Sequence, residues 1–238
     1  MRTSAKSLYS HLLFNNKTAR NRVVVPAMAS QTADTNGLAT ERTFQNYSDL
    51  AESGAGLIFV ELHSAHGYGL NQWLSPITNQ RTDRYGGNLE GRSRLLKELI
   101  ALIRKELPEL LISIRIPGQD CFPGGLTPED MKTVAKDLES LGVDLLNVSS
   151  GIGGWRRPRD RLGEGYLLDE ASAIQAAVQI PVIGVGGIES APFIDSIINA
   201  GRVELAAVGR AILQNPRRWK ETQLLDYRIE LSSPGLSG

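Results

Sequence analysis

The sequence predicts an α/β chain built on a parallel sheet of six strands, closed or open. Three observations predict it. Short apolar runs alternate with amphipathic stretches of helical period in units of roughly 30 residues, the pattern of strand–helix–strand crossovers. Glycine pairs or a glycine–arginine step close the last two runs, and a histidine-rich hexad closes the second. Residues just past the carboxyl ends of parallel strands are where α/β barrels keep their chemistry. The length, 238 residues, suits one domain with a substantial core.

Val23-Val24-Val25 is the first strand, short and β-branched. Thr40 to Ser53 reads as a helix, with Phe44, Tyr47 and Leu50 at helical spacing and Gly54 as its stop. Gly56-Leu57-Ile58-Phe59-Val60 continues to Glu61 as the second strand, buried on both faces. A long loop then leads to a helix from about Arg92 to Leu107, with Leu95, Leu96, Leu99, Ile100 and Ile103 on one face and Pro108 ending it. Leu111 to Ile116 is the third strand. Thr127-Pro128-Glu129-Asp130 opens the next helix: Thr127 caps it, proline fits the first turn and the acids suit the positive end of the dipole. Val143 to Val148 is the fourth strand, and Asp169 to Val178 the helix after it. Pro181 to Val185 is the fifth strand, Ser190 caps a helix that stops at Gly201, and Val203 to Val208 is the sixth. The tail after Trp219 reads as loose.

Composition excludes several classes. Lys+Arg and Asp+Glu balance at 26 each, so neither a basic field for nucleic acid nor a polybasic membrane signal is present. No apolar run approaches the ~20 residues of a membrane span, and the N-terminus lacks a signal-peptide core. The one cysteine, Cys121, allows no intrachain disulfide and fits a reducing, cytoplasmic setting.

Chemistry concentrates in His63-Ser64-Ala65-His66-Gly67-Tyr68, which holds two of the three histidines. Two imidazole donors and a phenol suit an enzyme that holds a carbonyl oxygen and supplies a proton. His-x-x-His also occurs in metal sites, with Glu61 and Asp83 as the available third ligands, but none stands at a predictable spacing. Val185-Gly186-Gly187-Ile188 and Val208-Gly209-Arg210 end the last two strands. Barrels often bind phosphate there, because glycines let backbone N–H groups approach an anion and the arginine adds a fork of donors. No strand-linked G-x-G-x-x-G or P-loop is present. Trp155 to Arg159 reads as a solvated basic loop, and Asp83-Arg84-Tyr85-Gly86-Gly87 as a structural latch.

Asn21 to Met28, the His63–Tyr68 hexad, Asn79 to Gly87, Val182 to Gly187 and Val208-Gly209-Arg210 together resemble the Old Yellow Enzyme family of NADH:flavin oxidoreductases, over about residues 12–220. The resemblance implies a single TIM-barrel-like parallel β/α barrel domain over residues 1–238, shortened to about six strands. It implies FMN as cofactor, NADH or NADPH as reductant and an activated alkene, often an enone, as substrate. His63 and His66 would hydrogen-bond the substrate carbonyl and Tyr68 would protonate the neighbouring carbon. Ala27 and Met28 would lie under the flavin ring and Arg115 at its pyrimidine edge; an alternative is that Arg115 only pairs with Asp120 or Asp144. Gly186, Gly187, Gly209 and Arg210 would cradle the phosphate, and no metal is implied.

Two departures stand out. In the family the strand matching Gly56 to Glu61 is separated from the histidine pair by two further units, roughly 60 residues or more at ~30 per unit; here Leu57-Ile58-Phe59-Val60-Glu61 runs straight into Leu62-His63. The lost strand carries a glutamine that contacts the flavin in the family. Ala29 stands where many relatives carry a cysteine or threonine. Six strands must re-register to close, and an open sheet would expose edges that favour pairing with another copy. The runner-up reading is therefore an impaired family remnant with weak or no flavin binding; a metal-assisted barrel hydrolase is a third.

Overall fold

The computed structural model describes residues 6–14, 17–27, 40–58, 61–153 and 160–215. A two-stranded antiparallel hairpin, β1 (Leu12–Phe14) and β2 (Lys17–Ala19), precedes the first sheet strand, β3 (Val23–Val25). Helix α1 (Glu41–Ala51) leads to β4 (Leu57–Ile58), and β5 (Leu62–His63) follows almost at once. Helices α2 (Gly69–Leu74) and α3 (Leu89–Glu106) precede β6 (Ser113–Pro117). The remaining units alternate strictly: α4 (Pro128–Ser140), β7 (Leu145–Ser149), α5 (Leu168–Gln175), β8 (Val182–Gly184), α6 (Ala191–Asn199), β9 (Leu205–Ala207) and α7 (Arg210–Gln214).

All the sheet pairings from β3 to β9 are parallel, in the order β4-β3-β9-β8-β7-β6-β5. The six strands expected from sequence are all present, but the second one behaves as two. Its first half pairs with β3 (Val24 opposite Leu57) and its second half with β6 (Leu62 opposite Ile114), at opposite edges of the sheet. Only four Cα steps separate Ile58 from Leu62, at most about 15 Å of chain. The two edges must therefore lie within that reach, and the sheet curls round on itself.

Side-chain parity is the same on both sides of the junction. Leu57 packs inside the curl, Leu62 packs outside against the helices, and Glu61 meets Arg115 and Asn147 on the inner side. Among the described residues of this stretch, Leu57 and Glu61 face inward and Leu62 outward, as a period of two requires.

The core has two layers divided by the sheet. Outside, Val23, Val25, Ile114, Ile116, Leu146, Val148, Val182 and Ala206 pack against helix residues such as Leu96, Ile100, Met131, Leu138, Ile174 and Ile194. Inside, Val24, Leu145, Ile183, Leu205 and Ala207 are closed from below by Leu12, Phe14 and Ala19 of the hairpin. The hairpin thus plugs the amino-terminal end and leaves the carboxyl-terminal end for function.

Local signals explain most element ends. Thr127 and Asp130 form a complete capping box at α4, worth about 1 kcal/mol. Asn88 caps α3 by accepting from the Gly91 N–H, so that helix starts three residues earlier than the apolar stripe indicates. Ser190 sits at the start of α6 but makes no side-chain cap. The Glu164 carboxylate does that work, accepting from the Glu189 and Ser190 amides at 2.8 and 2.9 Å and from the Ser190 hydroxyl at 2.6 Å. The Asp83–Gly87 segment is a latch: Asp83 pairs with Arg81, and the Asn79 amide holds the Trp73 and Tyr85 carbonyls. The tail beyond Trp219 and the Trp155–Arg159 loop lie outside the described residues.

Candidate active site

The carboxyl ends of β5 to β9 surround an open cavity of about 620 Å³, within the range of small-molecule and cofactor sites. Its lining includes His66, Arg115, Ser149, Gly186, Gly187, Gly209 and Arg210. The phosphate-type turns, the strand-end arginine and one of the paired histidines therefore share one mouth.

Gly186 and Gly187 leave β8 with φ of +122° and +69°. A Cβ on Gly186 would stand 2.9 Å from the Leu167 amide nitrogen and 3.0 Å from that of Tyr166, so only glycine fits beneath the loop that crosses it. Gly209 precedes α7, whose first N–H groups have no partner within the helix. Arg210 adds a cation at the same end.

At the other end of the cavity, three inner-face residues stand side by side on neighbouring strands. His63 is in register with Arg115, and Arg115 with Asn147. Arg115 pairs with neither Asp120 nor Asp144. It forms an ion pair with Glu61 and donates to the Ala27 carbonyl at 2.8 Å. The Asn147 amide donates to both Glu61 oxygens at 3.1 Å. The Glu61 side chain is 1% exposed and that of Arg115 11%. Burial pushes the Glu61 carboxyl above the usual carboxylate range, while the Arg115 charge and the Asn147 and Arg115 hydrogen bonds pull the other way. Asp144 serves Arg104 and the Ile112 amide, and Asp120 ties Ser75, Leu126 and Ile152 together.

The hexad's loop is built for the imidazoles. The Ser64 amide donates to the Arg115 carbonyl and the His66 amide to the Ser150 carbonyl, fastening the loop to the next strands. Among the described residues His66 alone, apart from glycines, has a positive φ, +61°, a sparsely populated conformation for a side chain of this size. That turn brings its ring edge-on to His63, with centroids 5.0 Å apart, and places its Nε2 2.7 Å from the Ser149 hydroxyl. Burial, with the neighbouring His63 and Arg115 charges, lowers the His66 pKa to about 4. Burial and Arg115 lower that of His63. Both shifts favour the neutral imidazole, which can offer or accept a hydrogen bond. Tyr68 is 55% exposed, 5.6 Å from the His63 ring, at the rim.

Of the ten sequence-derived site residues, His66, Arg115, Gly186, Gly187, Gly209 and Arg210 line the cavity itself. His63 and Tyr68 adjoin it through His66, and Ala27 touches Arg115 through its carbonyl. Met28, like Ala29, lies outside the described residues. Sequence reasoning missed Glu61 as a partner of Arg115, and missed Ser149 and Asn147 altogether; their inward parity on strands ending at the mouth was the available signal. Among the described residues no group of three His, Cys, Asp or Glu side chains stands close enough to hold a metal ion. Glu61 and Asp83, the ligands considered for one, are engaged with arginines.

Comparison with known proteins places the chain in a family. A sequence profile of the NADH:flavin oxidoreductase / NADH oxidase family matches residues 39–223. An NADH oxidase of Thermoanaerobacter brockii is 39% identical over 183 residues, 74% of this chain and 28% of that protein. An NADPH dehydrogenase of Geobacillus thermodenitrificans is 35% identical over 196 residues, 82% of this chain and 56% of the relative. This chain thus spans about half the length, or less, of these relatives. In fold it resembles an old yellow enzyme homologue from Zymomonas mobilis, with a TM-score of 0.72 at 16% identity over 91% of this chain and 93% of that one. It also resembles a 2-naphthoyl-CoA reductase, with a TM-score of 0.62 at 23% identity over 90% of this chain and 34% of that one. The profile match over most of the chain, the two dehydrogenase relatives and the parallel β/α architecture with its glycine turns lead to one conclusion: the chain belongs to the NADH:flavin oxidoreductase / NADH oxidase family.

Proposed function

We propose that this chain is an FMN-dependent NAD(P)H oxidoreductase that reduces the activated C=C bond of an enone-type substrate. The observation that carries the reading is the shared cavity, in which an arginine–glycine anion end and an imidazole end face one space of about 620 Å³. The donor set fits FMN: Gly186, Gly187, Gly209 and Arg210 would hold the phosphate, and Arg115 with the Ala27 backbone would meet the ring. Bound FMN would supply hydride acceptance from NADH or NADPH and hydride donation to the alkene.

The chain's own residues would do the rest. A Ser149 hydroxyl that donates to His66 Nε2 leaves the imidazole proton on Nδ1, available to a carbonyl oxygen. His63, also neutral, would supply a second donor, so that charge developing on that oxygen meets fixed donors. Tyr68 would deliver its hydroxyl proton to the neighbouring carbon. A cytoplasmic setting belongs to the same reading.

The test is a visible spectrum of the purified protein with added FMN. A bound yellow chromophore that NADPH bleaches and an enone restores supports the proposal. A protein that leaves FMN free in solution sinks it. That outcome would favour the second reading, an impaired remnant, for which the Arg115–Glu61 ion pair is the specific motive: the cation at the ring end already has a partner. Given a yellow protein, Tyr68→Phe should slow substrate reduction about 100-fold and leave flavin reduction by NADPH unchanged. Equal loss in both half-reactions would remove Tyr68 from its role.

A further inference from the structure

Just before β5 a buried carboxylate stands behind the cavity lining. Glu61 pairs there with Arg115, which lines the cavity and stands in register with His63. Two buried polar atoms at this ion pair have no hydrogen-bond partner among the described residues, Arg115 Nε and Asn147 Oδ1. Unsatisfied buried groups are uncommon and ask for an explanation. Here one donor and one acceptor are left over around a single carboxylate. That is the inventory of a network with two arrangements. Ionised, Glu61 takes the guanidinium; protonated, it has a hydroxyl that a turned Asn147 amide can accept, and the guanidinium is released.

We propose that Glu61 governs the charge of the ring end of the cavity, so that the site holds a reduced, more negative flavin less tightly than a free arginine would. The inference rests on the FMN reading above and names a residue that adjusts it. While Glu61 is ionised the pair is neutral overall, and added negative charge gains little from Arg115. A neutral residue at position 61 leaves an uncompensated cation there, which favours the reduced form. Charge close to the flavin ring is one of the main ways a protein sets its electronics. The groups facing Glu61 are Arg115 on β6 and the uncharged Asn147 on β7. His63 and His66 lie near the same guanidinium. Raised by burial, the carboxyl of Glu61 gains its proton at a higher pH than an ordinary glutamate.

The experiment compares wild type, Glu61→Gln and Glu61→Asp. FMN binding is followed by quenching of flavin fluorescence, and the midpoint potential of bound FMN by equilibration with redox dyes. E61Q should favour reduced over oxidised FMN at least tenfold more than wild type does at pH 7.5, a positive shift of about 30 mV for a two-electron couple. E61D keeps the charge and should stay with wild type. The gap between E61Q and wild type should close as pH falls and Glu61 gains its proton. A merely structural role would give no such convergence. An unchanged or negative shift in E61Q overturns the inference. Should E61Q fail to fold, a His63→Gln protein with Glu61 in place gives a second reading. Its potential should climb toward acid more steeply than that of free FMN, and an identical slope overturns the inference. If all the proteins bind FMN with indistinguishable potentials, only this inference falls. If none binds FMN, the proposed function falls and takes it along.

Discussion

At the scale of single residues, the site is governed by what each side chain does to its neighbour's proton. His66 has its pKa lowered to about 4 from the usual 6.5. The unfolded chain therefore binds more protons than the folded one between those values. The stability His66 contributes is complete above about pH 6.5 and is lost as pH falls through 4. Glu61 runs the other way: with its folded pKa raised above 4.5, its contribution is complete below 4.5 and is lost as pH rises through the folded value. In urea titrations across pH 4 to 7, His66→Gln should flatten the rise of stability with pH, and Glu61→Gln should steepen it. Identical slopes in all three proteins would show that neither group is perturbed. Arg115→Ala should be far more damaging, by about 3–5 kcal/mol, because it strands a carboxylate in the sheet interior. The double change with Glu61→Gln should recover part of that loss, which the same titrations measure. The histidine pair, the tyrosine and the glycine turns were legible as residues because they fall in short local motifs. The Glu61–Arg115 pair was not, because its members lie 54 positions apart and nothing local in either segment names the other.

At the scale of elements, local chemistry was a good guide wherever an end is set by its own residues. Thr127-Pro128-Glu129-Asp130 announces α4, and the capping box is complete in the fold. Thr127→Ala should cost about 1 kcal/mol, measured by chemical denaturation; no loss would mean that solvent satisfies the end equally well. The start of α6 shows the limit of such reasoning. Ser190 has the residue type of a cap, yet the anion at that end comes from Glu164, 26 residues earlier. Glu164→Gln should therefore destabilise the protein more than Ser190→Ala does, since it weakens three hydrogen bonds rather than one. The β1–β2 hairpin went unread because strands of three residues carry too little periodicity to stand out. β4 falls within the strand expected over 57–61, but β5 and its separate partner were not anticipated.

At the scale of the whole molecule, the sheet depends on one segment reaching both of its edges. Inserting four glycines after Val60 should release that tie, exposing parallel edges that associate with other chains. Size-exclusion chromatography should then show a shift to larger species, and an unchanged profile would show that the curl does not need the connection. The sequence by itself determined the order of units and the carboxyl-end placement of the histidines, glycines and arginines, because hydrophobic period, caps and turns are local properties. Only the tertiary structure decided that one segment serves both edges, that a hairpin seals the far end and that Glu61 answers Arg115. Period determines which face a residue takes, while its partner depends on which distant strand the curled sheet brings alongside.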